Sequence, residues 1–589
     1  MENDRNYKGA LRLDWINKSL SLYYEIDEKE GKGVRPVWVA RNDIRVAEPR
    51  ILKFQKHYGD VKSENVLIKG DNLLVLRSLV EMFKGRPDKE KVKCIYIDPP
   101  FNTGNAFKYY DDNLRHSEWL TMMRDRLYLL RKLMKKDGVI FVNIDNDELH
   151  YLKVIMDEIF GRENYITTVA MKAKAPSGVA TGSMIFDVSQ YLLCYRGPQK
   201  PKVYKNKIIK EIIDESSKTA EQYSLLFVDE GKQGKVVNEL KTKSGNVIKI
   251  KKHTNYKIKR ISNGEKNVAC YLKNFDKIFR TATLSGGIEK QIKKLIPDSG
   301  LYSYIHVPNK GKYADIPTKY YVYNKEGVLF LKEVAEIAEI EDEKGDLAKV
   351  PAKLELVSNI FTDDLWQGIS GEGDVEFQQN KKPEKLIQRL LELVTCKDDL
   401  VLDIFAGSGT TAAVAHKLGR RWITVEIGRQ AEELIIPRLL RVVNGKDQTG
   451  ISKDINWKGQ GGFKYYQLGE SVIHEHDMNW ALKSGEMAEA IFLHFQYRPV
   501  KADWLKNENM HLGKHQSARY NFALAFASSK IETLTEDLYE TIVIELAKEK
   551  FKHLTIFTNV AVSVPPASLD ERILIKKIPA AILREYNLL

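Results

Sequence analysis

The stretch CIYIDPPFNTG, Cys94 to Gly104, gathers residue types that could handle an aromatic amine. Cys94 to Asp98 reads as a short buried strand, mostly apolar with β-branched and aromatic side chains. Asp98-Pro99-Pro100-Phe101 stops it. The two prolines have no N–H for a sheet ladder and fix their own φ, so the backbone leaves the strand stiff and extended. That puts a carboxylate, carbonyls without competing donors and an aromatic ring at a strand's carboxyl end, the edge where open α/β sheets take ligands. An exocyclic amine on a heteroaromatic ring offers two N–H donors. The Asp98 carboxylate and the Pro99 carbonyl could accept both, drawing the nitrogen towards a tetrahedral shape and freeing its lone pair. Phe101 could stack on the ring, a contact worth roughly 1–3 kcal/mol per base.

A second constellation lies some 300 residues on, at Leu400 to Thr411, LVLDIFAGSGTT. It reads as a strand running into a glycine-rich turn and a helix. Gly407 and Gly409 let backbone approach a ligand with no Cβ in the way. The next strand, Trp422 to Ile427, puts Glu426 at its carboxyl end, where an acid can take both hydroxyls of a ribose. Alone, Gly407-x-Gly409-x-x-Ala412 with a later acid also fits a dinucleotide fingerprint. The Asp403-x-Phe405-Ala406-Gly407 lead-in and the upstream proline loop oppose that reading. Val66 to Asn72 is a further strand and turn, followed by a helix with Leu73, Leu76, Leu79 and Val80 at helical spacing. Asp71 there suits an N-cap and equally an acceptor for an adenine amine.

The elements that must position these groups follow from pattern. Ser117 is expected to cap a helix that carries Leu120, Met123, Leu127, Leu130 and Met134 on one face and ends at Gly138. Val139 to Ile144 is the next buried strand. Asp145, Asp147 and Glu148 then suit the positive end of a helix running to Phe160 better than they suit a metal. Ile166 to Met171 and Tyr191 to Tyr195 read as strands. The Lys/Gly/Ser/Thr-rich loop between them, Lys172 to Ser183, could close over a substrate, and Phe107 to Arg115 reads as a polar, aromatic loop.

From about Gly197 to Asn359 the pattern breaks. Lysines crowd Lys200 to Lys210 and Lys241 to Lys259 among Tyr204, Tyr256 and Tyr271, and an aromatic block runs Tyr302 to Tyr323. Lysine and arginine on phosphates give affinity, and side chains at base edges give specificity, so this insert is where nucleic-acid reading is expected. Glu333 to Asp346 is expected as a surface helix and turn, and Arg429 to Gly445 as a helix kinked at Pro437. Lys458 to Gly462 reads as a linker and Phe463 to Gln467 as a strand. The remainder reads as a small α/β unit with strands near Leu524 to Phe526, Leu554 to Phe557 and Ile573 to Ile575, an accessory or dimerisation module.

Composition sets the wider bounds. At 589 residues the chain needs several cores. Lys+Arg exceeds Asp+Glu by 93 − 80 = 13, which favours a polyanionic partner. The absence of a long apolar run or cleavable signal gives no support to export or membrane insertion. Cys94, Cys194, Cys270 and Cys396 are far apart, so neither a disulfide framework nor a structural zinc is expected and a reducing cytoplasm is. No G-x-x-x-x-G-K-[ST] phosphate loop supports a helicase.

DPPFNTG, Lys382-Pro383-Glu384-Lys385-Leu386-Ile387 and DIFAGSGTT occur in that order with the basic insert between them. The set resembles the β-class of amino-group DNA methyltransferases, in particular the modification subunits of type III restriction systems and their long solitary relatives. Gly461-Gly462-Phe463-Lys464-Tyr465-Tyr466 and Ile575 to Pro579 extend the likeness. Ile404 departs from the proline many relatives carry. Ser189-Gln190 lacks the acidic or histidine residues common there, so no function is carried over to it.

The resemblance implies an α/β fold, the Rossmann-like doubly wound sheet of class I S-adenosylmethionine-dependent methyltransferases in permuted motif order. The strands ending at Asp71, Asp98, Asp403 and Glu426 would lie in one sheet. The expected parts are an arm (1–60), a catalytic half (61–196), a target-recognition insert (197–359), a cofactor half (360–457) and a C-terminal accessory domain (458–589). The implied cofactor is S-adenosylmethionine, held by Asp71, Asn72, Asp98, Lys382, Pro383, Asp403, Phe405, Ala406, Gly407, Ser408, Gly409, Thr410, Thr411 and Glu426, with no metal. Glu426 would take the ribose and Asp71 lie near the adenine. Asp98, Pro99, Pro100 and Phe101 would act on N6 of an adenine flipped out of double-stranded DNA. Aspartate, and not serine, at the first motif position resembles the adenine enzymes. Cytosine-N4, an RNA substrate, or a non-catalytic DNA-binding subunit of a defence complex are the alternatives. Expected partners are DNA, a second copy in a homodimer and a separate restriction subunit.

Overall fold

Val92–Ile97 is buried at all six positions. A strand can be so only with neighbours on both edges and cover on both faces. The computed structural model describes residues 11–26, 34–102, 115–173, 188–242, 245–308, 316–341, 347–363, 365–374, 381–474, 477–505, 508–526, 533–559, 563–564 and 570–585. The loops expected at Phe107 to Arg115 and Lys172 to Ser183 lie almost wholly outside those residues. The chain divides into two units: residues 1–205, 358–453 and 457–589 in the first, and residues 206–357 and 454–456 in the second.

The first unit is built on a ten-stranded sheet. In chain order its strands are β1 (Leu52–Gly59), β2 (Val66–Lys69), β3 (Val92–Ile97), β4 (Met134–Ile144), β5 (Tyr165–Lys172), β6 (Ser189–Arg196), β7 (Ile360–Phe361), β8 (Leu400–Asp403), β9 (Arg421–Glu426) and β10 (Gly462–Leu468). Across the sheet the order is β7-β5-β6-β4-β3-β8-β9-β2-β10-β1. The run β4-β3-β8-β9-β2-β10 is parallel throughout, and β6 is antiparallel to β4. The helices are α1 (Asn72–Phe83), α2 (His116–Leu133), α3 (Asn146–Phe160), α4 (Glu384–Val394), α5 (Thr410–Lys417), α6 (Ile436–Val443) and α7 (Ser484–His494). The apolar faces of α1, α2 and α3 bury one face of the sheet through Ile95, Ile97, Ile140, Val142, Leu402 and Val425. α5 sits over the alternate positions, where Trp422 donates from Nε1 to His416 Nδ1 at 3.3 Å. β8 leads through α5 to β9 on one side, while β3 leads through α2 to β4 on the other. The crevice between β3 and β8 is therefore the switch point of a doubly wound sheet.

Several elements differ from expectation. α2 begins at His116, with Ser117 inside its first turn, and ends at Leu133, because Met134 already pairs with Val92 in the sheet. Pro437 does not kink a helix. A π-helical turn at Ala431–Ile435 precedes α6, and the proline sits in the first turn of α6, where its missing N–H costs nothing. Residues 11–60 add a hairpin, Leu20–Ile26 with Val34–Ala40, whose Leu22 is fully buried in the main core. A five-stranded sheet near the C-terminus holds Asn521–Phe526, His553–Thr558 and Ile573–Lys577 in parallel, with α7 packed beside it.

The second unit is an eight-stranded antiparallel sheet with a separate three-stranded one. Glu336–Glu341 is a strand paired with Leu347–Leu356, not the helix its charge suggested; antiparallel pairing with the next strand along the chain overrides helical preference there.

Leu402 is fully buried in the main core. Leu402→Ala should cost about 2–5 kcal/mol of core stability, read as a lowered urea midpoint in a tryptophan-fluorescence titration.

Candidate active site

Asp98 follows β3, Asp403 ends β8, Glu426 ends β9 and Asp71 follows β2 by two residues. Four acids from distant parts of the chain thus share the carboxyl edge of four adjacent parallel strands.

Both oxygens of Asp98 face donors. Asn143 on β4 donates from Nδ2 to Oδ1 at 3.0 Å, and the Lys382 ammonium lies 3.0 Å from Oδ2. Asn143 Nδ2 also reaches Gln190 Oε1 at 3.2 Å. The Lys382 ammonium stands 4.6 Å from the centre of the Phe101 ring, a cation–π contact. Trp119 Nε1 donates to the Pro100 carbonyl at 2.7 Å and so fixes the loop from α2. Beyond it the chain turns left-handed at Asn102, φ 62°. The Asn102 amide donates to Glu148 Oε1 at 2.8 Å, and His116 Nδ1 meets the same oxygen at 2.8 Å. Burial pushes the Glu148 carboxyl above its usual range.

The glycine turn is held from below. Gly407 and Gly409 have φ of 53° and 76°. Glu426 Oε2 accepts from Gly407 N at 2.8 Å; its Oε1 accepts from Ile427 N at 3.0 Å, Gly428 N at 3.2 Å and Gln430 Nε2 at 2.8 Å. Asp403 Oδ1 accepts from Phe405 N at 2.9 Å, and the Thr411 hydroxyl also bonds this carboxyl. Burial pushes both acids to about 7, and for Asp403 the charges of Asp98 and Glu426 add to it.

Other expected site residues serve the scaffold. Arg438 Nη1 donates to Thr410 Oγ1 at 2.8 Å and to the Ser408 carbonyl at 3.2 Å, and its Nη2 pairs with Glu384 at 2.8 Å. Pro383 is the N-cap of α4, and Ala406 donates from its backbone to Val425 O at 3.1 Å. Asp71 is the N-cap of α1, accepting from Leu73 N at 2.8 Å and Leu74 N at 3.2 Å. Its second oxygen takes Tyr24 N at 3.0 Å and Arg126 at 3.1 Å, so donors of the chain itself already surround it. Asn72 donates to the Ile404 carbonyl at 2.8 Å and accepts from Arg126, tying α1 to the glycine turn. No group of three or more His, Cys, Asp or Glu side chains among the described residues could hold a metal ion.

Sequence reasoning missed Asn143, Gln190 and Trp119, and read Glu148 only as a helix-terminal acid. One signal was present: Asn143 interrupts an apolar strand, and a buried amide must find partners.

A carboxylate beside a stiff loop and ring thus stands next to a glycine turn with an acid behind it, at one edge of the sheet. The chain belongs to the DNA methylase family, whose pattern matches residues 92–437, more than half of its length. It is similar to the HindVI Mod subunit of Haemophilus influenzae, described as a probable type III restriction-modification enzyme. The two are 34% identical over 437 residues, 71% of this chain and 55% of that protein. It is also similar to the EcoP15I Mod subunit of Escherichia coli (27%, covering 63% and 60%) and the StyLTI Mod subunit of Salmonella typhimurium (30%, covering 69% and 57%), both type III restriction-modification enzymes. The chain therefore spans only 55% to 60% of the length of these relatives.

Asp403 and Glu426 rise in the folded chain from 3.8 and 4.5 to about 7. The folded state then holds protons that the unfolded state has released. Their contribution to stability is full below about pH 4 and is lost as pH rises through about 7. Glu426→Gln should remove its share of that slope, at most about 1.4 kcal/mol per pH unit, in denaturation series between pH 4.5 and 7.5.

Proposed function

We propose that this protein is a site-specific DNA methyltransferase that moves a methyl group from S-adenosylmethionine to N6 of an adenine flipped out of duplex DNA. One observation carries the reading: the Asp98 loop and the glycine turn, some 300 residues apart, emerge from adjacent parallel strands at the switch point. The donor set fits the cofactor. Asp98, Asp403 and Glu426 repel one another at this edge. A sulfonium cation would bring positive charge to this edge, where Lys382 beside Asp98 is a cation already present and Asp403 and Glu426 are held by uncharged donors.

Gly407 and Gly409 let the turn approach the donor, Glu426 takes the ribose, and Phe405 lies at the mouth of the turn. When bound, S-adenosylmethionine supplies an electrophilic methyl group. Asp98 and the Pro99 carbonyl accept the two amine hydrogens, Phe101 stacks on the purine, and Asn143 with Gln190 holds Asp98 in place. Trp119, through Pro100, keeps the loop from yielding as the base enters. Orientation is the main source of rate, with no covalent intermediate on the chain. The names of the relatives, Mod subunits of type III restriction-modification enzymes, support a setting in restriction-modification with a separate restriction subunit as partner; two copies of this chain per enzyme and work in the cytoplasm are part of the same proposal. The second unit, rich in lysine and tyrosine, is the proposed reader of sequence.

Incubation with duplex DNA and labelled donor, followed by digestion to nucleosides, should yield N6-methyladenine. Label in N4-methylcytosine would assign the other amine, and no label at all would leave a DNA-binding subunit. Asp98→Ala should lower methyl transfer by about 100-fold or more while DNA affinity stays within twofold. Lys382 occupies both the carboxylate and the ring face that the purine needs. Lys382→Met should therefore lower the KM for DNA, and a raised KM in steady-state assays would refute that competition.

A further inference from the structure

A cavity of about 500 Å³ lies at the opposite edge of the same sheet. Its walls include Val66, Leu400 and Arg421, which open β2, β8 and β9, together with Phe83 of α1 and Tyr466 of β10. Glu489 and Leu493 of α7, and Arg498 just beyond it, close the far side. The size is that of a small-molecule pocket.

Its charges are unevenly spent. Arg421 is satisfied, donating to Glu64 at 3.0 Å and to the Asp398 carbonyl at 2.9 Å. Arg86 lies over the Phe83 ring at 4.2 Å and donates only from Nε, to the Met82 carbonyl at 3.0 Å. The side chain of Arg498, which is exposed to solvent, makes no hydrogen bond or ion pair among the described residues. Two guanidinium forks at the cavity are thus left without an acceptor. The carboxylates beside them, Glu90 and Glu489, form no ion pair with either. The Arg86 pKa is pulled down by burial and by the charge of Arg498, and the opposing charges of Glu90 and Glu64 offset this only in part. Glu489 is pushed up by burial and by Glu486, which weakens it as that counter-charge. A half-buried guanidinium without acceptors is costly, and its planar fork matches a phosphate in two-point contact.

We propose that this cavity is a second binding site, for a small phosphate ester on an aromatic body, with the phosphate on Arg86 and Arg498 and the flat group against Phe83 and Tyr466. A DNA duplex is too wide to enter the cavity, so the site is assigned to a free ligand. The proposal does not depend on methyl transfer, because none of these residues lies at the carboxyl edge.

The test is calorimetric titration of the full chain with uridine 5′-monophosphate and with inorganic phosphate. Uridine monophosphate should bind at least tenfold tighter than phosphate. Arg498→Gln should weaken it at least tenfold, and Arg498→Lys should recover part of the loss. Asp98→Ala should bind it as the wild type does, and duplex DNA affinity should be unchanged in Arg498→Gln. Equal affinity for the two probes, no binding at millimolar concentration, or no effect of Arg498→Gln would overturn the proposal. So would a fall in DNA affinity without nucleotide binding, which would give these arginines to the DNA backbone.

Discussion

Two register pairs, Val401 with Cys94 and Leu402 with Ile95, hold the active edge together. They join β3 to β8, and with them the Asp98 loop to the glycine turn. Slip that pairing by one residue and every side chain of β8 would change face, because strand side chains alternate. Leu402 would leave the core and Asp403 would no longer meet the N–H of the turn. The packing of Leu402 in the main core and the bond from Phe405 N to Asp403 oppose such a slip.

Behind that pairing stands a buried charge network. Glu384 of α4 accepts from Lys417 of α5 at 2.9 and 2.7 Å and from Arg438 of α6 at 2.8 Å, all three fully buried, and Lys417 also lies 2.9 Å from Asp447. Buried ion pairs return little net stability, because desolvation offsets most of the attraction. Their use here is positional. Arg438 reaches on to Ser408 and Thr410, so the network sets where the glycine turn lies relative to the Lys382 segment, whose ammonium meets Asp98. The glutamate of KPEKLI is thus an anchor, while the lysine two residues before it faces the site.

How far the pattern was readable differs by element. The inner strands of the main sheet were readable to within about five residues, because burial on both faces writes itself as short apolar runs, whereas the two edge strands, β1 and β7, were not read from the sequence. Helix limits were less so: α2 ends five residues before Gly138, where sheet pairing captures a segment that local preference leaves open. The Glu336–Glu341 strand was hidden for the same reason. Asp71 had two readings from its position, and its contacts with Leu73, Leu74, Tyr24 and Arg126 are those of a helix cap.

Residue order alone was enough for the chemistry of each segment: an acid before two prolines, glycines after a strand, lysines crowded in one insert. These are local properties, set by which atoms a residue carries and which φ its backbone can take. The partners of Asp98 were beyond its reach. Asn143 and Lys382 come from separate parts of the chain and meet at one carboxylate, with Gln190 joined to it through Asn143, because β4 pairs with β3 on one side and with β6 on the other. Distance along the chain carries no record of that, and packing across the sheet decides it.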